Sequence, residues 1–324
     1  MTIGLAGFGG IGRVHFGNYR HIPGCKVIAA CDSSPNGREA AEKNGVQCYA
    51  GLREMLDKAN PDVVDVCVPS FLHHDLVMEA LGAGKHVICE KPLALKSCDA
   101  KEMYALAGQK GLQLLVGHVL QFFPASKILH EIVKDGRYGK ALDAVFLRLS
   151  ACPRWAADGW LLDKSKSGLL PFDLHIHDLD LMISLFGRPE SHEIVSGGRE
   201  GLNYEEYYRI LYRYPKLNVC CEAAWYNADI PFTASWRVYF EKAVLICENG
   251  KLCAYSFDSP PLEFDIEEKV KIPTGINLPP TGVFLEELGF FLDRIKSGVK
   301  ELYRKEEIIA LIEILESITG AANE

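Results

Sequence analysis

The chain lacks a basic surplus: its 35 lysines and arginines are outnumbered by 43 aspartates and glutamates, for a net charge of -8. This argues against nucleic acid and anionic membrane surfaces, which need a basic face, as general partners. It also lacks any run of the roughly 18 uninterrupted apolar residues that a membrane helix requires. Arg13 and Arg20 lie within a glycine-rich opening rather than before an apolar block, so no secretion signal is read and a cytoplasmic location is expected. None of the eleven cysteines forms a C-x-x-C pair, and Cys67, Cys89 and Cys247 sit in apolar runs. The expectation is reduced thiols packed as small hydrophobes, with no metal and no disulfide framework.

What is present begins with Ile3–Ala6, a short apolar strand running into Gly7-Phe8-Gly9-Gly10-Ile11-Gly12, a G-x-G-x-x-G match. A helical stretch from Ile11 to Arg20 follows, then a second strand, Lys26 to Ala30, that leads to Asp32. In such a unit the glycines let the backbone approach a pyrophosphate, and the helix N-terminus offers amide donors to it. An acid about 20 residues past the last glycine accepts hydrogen bonds from the adenosine ribose. Asp32 would repel a 2'-phosphate, which favours NAD; Ser33, Ser34 and Arg38 leave NADP open. Ser34 and Pro35 also suit a helix start, as cap and first helical residue.

The alternation continues through strands at Gln47–Tyr49, Val63–Val68, Val87–Cys89 and Leu112–Val116, separated by helices at Leu52–Ala59, His73–Leu81 and Ser97–Gln109. Strands alternating with helices of this length predict a doubly wound parallel sheet, an α/β Rossmann domain over residues 1–119. The run His86-Val87-Ile88-Cys89-Glu90-Lys91-Pro92 draws most notice. Proline cannot extend a ladder, so the strand stops near Lys91 and delivers that lysine to the carboxyl edge of the sheet, where ligands bind.

After residue 119 long alternating runs take over, at Ala141–Ser150, Glu205–Tyr214, Leu217–Tyr226, Ser235–Glu241 and Ala243–Cys247, with helices Phe284–Lys296 and Lys305–Ile318 at the end. Residues 120–324 are therefore expected to form an α+β domain on a large, mostly antiparallel open sheet. Its tyrosines and tryptophans suit either core packing or a subunit interface, giving a homodimer or homotetramer. Within it, Pro171-Phe172-Asp173-Leu174-His175-Ile176-His177-Asp178-Leu179-Asp180 is locally ambiguous, because Phe172 to His177 alternates as a strand would. Pro171 suits a helix start and Gly187 a stop, so a helix is predicted, with Asp173, His177 and Asp180 on one face. On a strand, His175 and His177 would point the same way and could bind a metal, as in some hydrolases; on a helix they diverge by about 200°.

Together, Gly7-x-Gly9-x-x-Gly12, Val68-Pro69-Ser70-Phe71-Leu72-His73, and Ala83-Gly84-Lys85-His86-Val87 running into Glu90-Lys91-Pro92 resemble the Gfo/Idh/MocA family of glucose-fructose oxidoreductase and inositol dehydrogenase. The Asp-x-x-x-His-x-x-Asp spacing resembles it too. The resemblance implies an NAD(P)-dependent oxidoreductase acting on a secondary hydroxyl of a sugar, sugar derivative or inositol-like polyol. It implies that Lys91 reaches nicotinamide and substrate, that Pro69, His73 and Glu90 border the cofactor with Gly7 to Gly12, Asp32 and Ser33, and that the Lys91–Pro92 bond is cis. His177 would be the acid/base and Asp173 a substrate-positioning residue, with His118 and Gln121 as further substrate candidates; Trp155 and Trp160, aromatic faces among Asp163, Lys164 and Lys166 in the loop before this helix, suit either a sugar or cyclitol ring or loop packing. Two departures stand out: the family often has glycine where His175 stands and arginine where Gln121 stands. Histidine, with an ordinary pKa of about 6.5, can accept a hydroxyl proton near neutrality, and a lysine ammonium can hold the developing alkoxide. A non-catalytic NAD(P)-binding sensor on the same fold is the alternative, which intact Lys91, Asp173 and His177 count against.

Overall fold

The alternating apolar runs of the first third become the strands of one sheet because each is too short and too β-branched to bury itself as a helix. The structure, a computed structural model, describes residues 1–276 and 278–320. The elements are β1 (Thr2–Ala6), α1 (Gly10–Tyr19), β2 (Lys26–Cys31), α2 (Pro35–Lys43), β3 (Gln47–Tyr49), α3 (Leu52–Ala59), β4 (Val63–Val66), α4 (His73–Gly82), β5 (His86–Glu90), α5 (Ser97–Lys110) and β6 (Leu114–Gly117). Their sheet has the order β3-β2-β1-β4-β5-β6, and every pairing in it is parallel. The order reverses between β1 and β4, which opens a crevice at the carboxyl ends of those strands. Ser34 caps α2 through its Oγ, which accepts from Gly37 N at 3.0 Å, and Pro35 takes the first helical position. Strand β4 stops at Val66, short of the expected Val68, because Pro69 turns the chain into a 3-10 turn at Ser70–Leu72.

The next elements are α6 (Pro124–Asp135), β7 (Ala141–Ala151), α7 (Lys164–Ser167), a π turn (Pro171–His175), α8 (Ile176–Phe186), β8 (Ser191–Gly197), β9 (Tyr207–Arg213), β10 (Asn218–Tyr226), β11 (Thr233–Phe240), β12 (Val244–Glu248), β13 (Lys251–Tyr255) and β14 (Leu262–Phe264). They build an eight-stranded sheet of order β14-β13-β12-β11-β7-β10-β9-β8. The only parallel pairing in it is β7 with β10. Strand alternation sends Ala144, Phe146 and Arg148 of β7 to the buried face, and Val145, Leu147 and Leu149 to a half-buried outer face. One inner row runs Ile210, Cys221, Phe146 and Trp236 across four strands. Helices α9 (Val283–Lys296) and α10 (Lys305–Thr319) follow.

The chain divides into two compact units, Met1–Phe122 with Glu268–Ile312, and Phe123–Glu267 with the chain from Glu313. This differs from the single cut at 119/120 read from the sequence. Leu288, Phe291, Leu292 and Ile295 of α9 pack into one buried cluster with Ile3, Leu5, Phe8, Ile88 and Leu115, so that segment belongs to the first unit. The apolar stripe of α9 is legible in sequence, but a stripe does not say which sheet it covers.

Candidate active site

In the first unit, β1 ends and the chain turns sharply at Gly7, whose φ is +94° and whose N–H donates to Cys31 O at 2.8 Å. A Cβ on Gly7 would stand 2.5 Å from the Cys67 carbonyl oxygen, and one on Gly12 2.2 Å from that of Gly7. These two glycines are required by packing. Gly9 is different: a Cβ there would meet nothing within 4 Å, and Gly9 caps α1 without a side chain. The first amides of α1 are thus left uncapped by side chains beside open space, the arrangement that receives a pyrophosphate. Phe8 is buried against Phe16, so only its backbone faces this turn.

Asp32, at the end of β2, braces that turn. Its Oδ2 accepts from Phe8 N at 2.8 Å, and its Oδ1 accepts from Ser34 N at 2.8 Å and Ser34 Oγ at 2.7 Å. Arg38 donates to the carbonyls of Asp32 and Ser33 at 2.9 and 2.7 Å. Its guanidinium is therefore turned toward the backbone rather than held out as a phosphate clamp. Ser33 is exposed.

At the carboxyl end of β5 the Lys91–Pro92 bond is cis, as the resemblance implies. Lys91 is half-buried, and its backbone N–H donates to Glu90 Oε2 at 3.1 Å. His73 is buried with Nδ1 2.7 Å from Pro92 O and Nε2 2.9 Å from Val68 O. Burial lowers its pKa, although two carbonyl neighbours would be fully met only by the doubly protonated ring. In this chain His73 ties the turn at Pro69 to the turn at Pro92, which shapes the wall beside Lys91. His118 is buried and Gln121 half-buried, in the turn after β6.

Beneath this edge lies a group that the motif reading does not include. His15 of α1 has Nδ1 2.8 Å from Asp65 Oδ2 and Nε2 3.1 Å from Glu90 Oε1, and Tyr19 Oη donates to the same Asp65 oxygen at 2.8 Å. All but Glu90 are fully buried, and Glu90 nearly so. The signal was present in the sequence: an acid in the middle of Val63-Val64-Asp65-Val66 must find a partner. His15, Asp65 and Cys67 also bring potential ligand atoms within 4.8 Å of one another. The 2.8 Å contact of His15 with Asp65 is nonetheless that of a hydrogen bond, shorter than the ~3.3 Å between two ligands on a tetrahedral zinc.

In the second unit the ambiguous stretch is helical, but it starts with a π turn, in which Ile176 N–H reaches back to Pro171 O. Gly168 and Leu169 precede it with φ of +70° and +62°. A buried leucine in this conformation is uncommon, and left-handed strain and π turns gather at functional sites. Ser167 Oγ holds the bend, donating to Leu161 O at 2.7 Å and accepting from Leu169 N at 2.8 Å.

From Ser167 to Ile183 every residue is buried except Asp173 and His177, which are half-buried. A helix packed on nearly all sides leaves only these two side chains with access. Asp180, expected on the same face, is only 1% exposed. His177 and Asp180, three apart in the regular α8, share a face, yet Asp180 is covered where His177 is half-open; the π turn ends before both and alters only the offset of Asp173. Trp155 is 76% exposed and Trp160 half-buried, in the loop before α7.

His175 departs from His177 altogether. It is buried, with Nε2 2.7 Å from Tyr212 Oη on β9 and the two rings stacked at 5.9 Å. The hydrolase alternative needed both histidines aimed at one ion, and that premise fails. Nearby, Asp178 accepts both arms of the Arg148 guanidinium, at 2.9 and 2.7 Å, a buried pair fixing α8 to β7. Burial lowers the His175 pKa to about 4. The unfolded chain would take up a proton near pH 6.5, but the folded one only near 4, so this residue makes stability fall as pH drops across that window. The loss is up to about 3 kcal/mol. Denaturant titrations at pH 7 and pH 4.5 should show a smaller difference for His175→Gln than for the wild type; equal differences would contradict the assignment.

Residues 1–118 match the model of the oxidoreductase family with NAD-binding Rossmann fold, GFO/IDH/MocA, and residues 127–246 match the GFO/IDH/MocA C-terminal domain. The chain belongs to the GFO/IDH/MocA oxidoreductase family. Gly7 to Gly12 and Asp32 thus lie in the family's NAD-binding domain. Among curated relatives, the myo-inositol 2-dehydrogenase of Thermotoga maritima is 33% identical over 61% of this chain and 58% of its own length. The 1,5-anhydro-D-fructose reductase of Ensifer adhaerens is 31% identical over 55% and 54%. The chain thus spans little more than half the length of these relatives. A levoglucosan dehydrogenase solved with NADH and levoglucosan has the same fold, with a TM-score of 0.82 over 100% of this chain and 98% of that one, at 21% identity.

Proposed function

We propose that this protein is an NAD-dependent dehydrogenase acting on a secondary hydroxyl of a sugar, sugar derivative or inositol-like polyol. The observation that carries the reading is that Asp173 and His177 are the two half-open side chains in the otherwise buried stretch from Ser167 to Ile183. A general base must be reachable, and a carboxylate one turn away can orient it or the substrate. In the first unit, Lys91 stands at the carboxyl end of β5, on the β4-β5-β6 side of the point where strand order reverses. The relatives named for inositol and anhydro-sugars support the substrate class.

Bound NAD supplies the hydride acceptor. The chain's own residues do the rest: His177 takes the hydroxyl proton, Lys91 holds the substrate oxygen as alkoxide character develops, and Asp173 orients the hydroxyl. Lys91, beside a cationic ring, can share the proton transfer. His118, Gln121, Trp155 and Trp160 are proposed as substrate contacts, the indoles as faces for a sugar ring. Gln121, neutral where the family often has arginine, speaks for an uncharged substrate.

Cofactor choice has its own test. Asp32→Ala removes the acid at the ribose position and the brace under the turn, and should shift the NADH/NADPH affinity ratio toward NADPH by about tenfold or more. Fluorescence titration with each reduced cofactor measures it; an unchanged ratio would show that Asp32 is not at the ribose.

The outer face of the eight-stranded sheet, with Val145, Leu147, Leu211 and Ile246 half-buried and Tyr239 exposed, is proposed as the contact surface of a homodimer or homotetramer. Leu147→Asp should convert that oligomer to monomer in light scattering. A wild type that is already monomeric would dismiss the interface.

A further inference from the structure

Every polar contact of His15 faces inward, although it stands on the helix that the Gly7 to Gly12 turn opens. It bonds Asp65 through Nδ1 and meets Glu90 through Nε2, an ion pair at 3.1 Å whose N–H points off the line to the oxygen. Glu90 turns its other oxygen to the Lys91 backbone N–H. Gly117 closes the far side, where a Cβ would come within 3.3 Å of Glu90 Oε1. From α9, the Phe284 ring covers His15 at 5.9 Å, an apolar lid. One chain of contacts therefore runs from the floor of the nucleotide helix to the backbone of Lys91.

We propose that His15 is a positioning residue for Lys91: anchored by Asp65 on one ring nitrogen, it fixes the Glu90 carboxylate with the other, and Glu90 holds the Lys91 backbone and sets the charge beside its ammonium. The inference rests on the reading of Lys91 as the donor to substrate oxygen. Burial works against a charge on His15, and contacts with Cys67 and Asp65 outweigh it, holding the ring's pKa well above the usual value. Burial keeps Cys67 itself a thiol, which leaves Asp65 as the anion responsible. For Glu90, burial pushes the pKa up, and His15 and Lys91 bring it below the usual carboxylate value. The pair is thus an imidazolium against a carboxylate that also interacts with Lys91. Without His15, Glu90 would face the Lys91 ammonium uncompensated and bind it more tightly.

The test reads Lys91 directly. The full-length protein without cofactor is acetylated at pH 8 with limiting acetic anhydride, and the rate at the Lys91 peptide is followed by mass spectrometry. His15→Gln should slow Lys91 acetylation about tenfold, as the uncompensated Glu90 carboxylate holds the ammonium more tightly. Glu90→Gln should speed it, and His15→Gln should then add no further change, as expected of a residue acting through Glu90. A His15→Gln chain that melts cooperatively, binds NADH and acetylates Lys91 within about twofold of wild type would overturn the proposal. Equal slowing in both backgrounds would too. Should His15→Gln fail to fold, nitrogen NMR of the wild type decides: both ring nitrogens protonated at pH 8 support the proposal, and a neutral ring overturns it. Because labelling needs no substrate, unaltered turnover in Lys91→Ala would remove Lys91 from catalysis independently of the result for His15.

Discussion

Lys91→Ala should lower turnover at least about a hundredfold while leaving NADH affinity nearly intact, as expected for loss of a donor used in the transition state. The cofactor contacts proposed here belong mostly to the Gly7 to Gly12 turn and Asp32, which are built by β1, α1 and β2 and need no lysine side chain. Lys91 contributes a charge where the substrate oxygen becomes an alkoxide. Its loss should therefore appear in kcat, and in kcat/KM for the sugar, with little change in the affinity for NADH. Lys91→Arg would keep the charge but spread it over a planar fork, and should recover only part of the activity. Unchanged turnover in Lys91→Ala would remove this residue from the mechanism.

His177→Asn should reduce kcat/KM by about 10²–10⁴-fold, the range for a positioned general base. Asparagine keeps the approximate size and hydrogen-bonding reach, so the helix should persist: its packing rests on buried residues such as Leu174, Ile176, Leu179 and Met182, and on the Arg148–Asp178 pair. The wild type should lose kcat/KM on the acid side as the base becomes protonated, and the residual activity of His177→Asn should lack that limb. A variant that retained it would place the proton acceptor elsewhere. Asp173→Asn should have a smaller effect, chiefly on KM, because a positioning carboxylate is replaced by a neutral group of the same shape.

The first sheet and the cofactor turn were legible in sequence because their signals are local. A strand, a glycine turn, a helix and an acid follow within a few dozen residues, and the clashes at Gly7 and Gly12 show why those glycines stand there. Asp173 and His177 were legible as a pair through their spacing. That Asp180 is buried while His177 is half-open was not legible, because helical spacing gives a face but not what covers each turn of it, and nothing in the periodicity announces the π turn before them. His175 was equally opaque, since its partner Tyr212 lies on a strand formed far along the chain. The return of Glu268–Ile312 to the first unit and the His15, Asp65 and Glu90 chain share that cause. Each depends on elements brought together by the fold, and only the acid inside an apolar strand hinted at it.

The most direct test of the central claim is NADH formation from NAD⁺ across a panel of sugars, anhydro-sugars and cyclitols, followed by absorbance for the wild type and Lys91→Ala side by side. At least one secondary alcohol of the panel should yield NADH with the wild type and almost none with Lys91→Ala. Silence across the panel from a protein shown to bind NAD⁺ would contradict it and favour a cofactor-binding sensor.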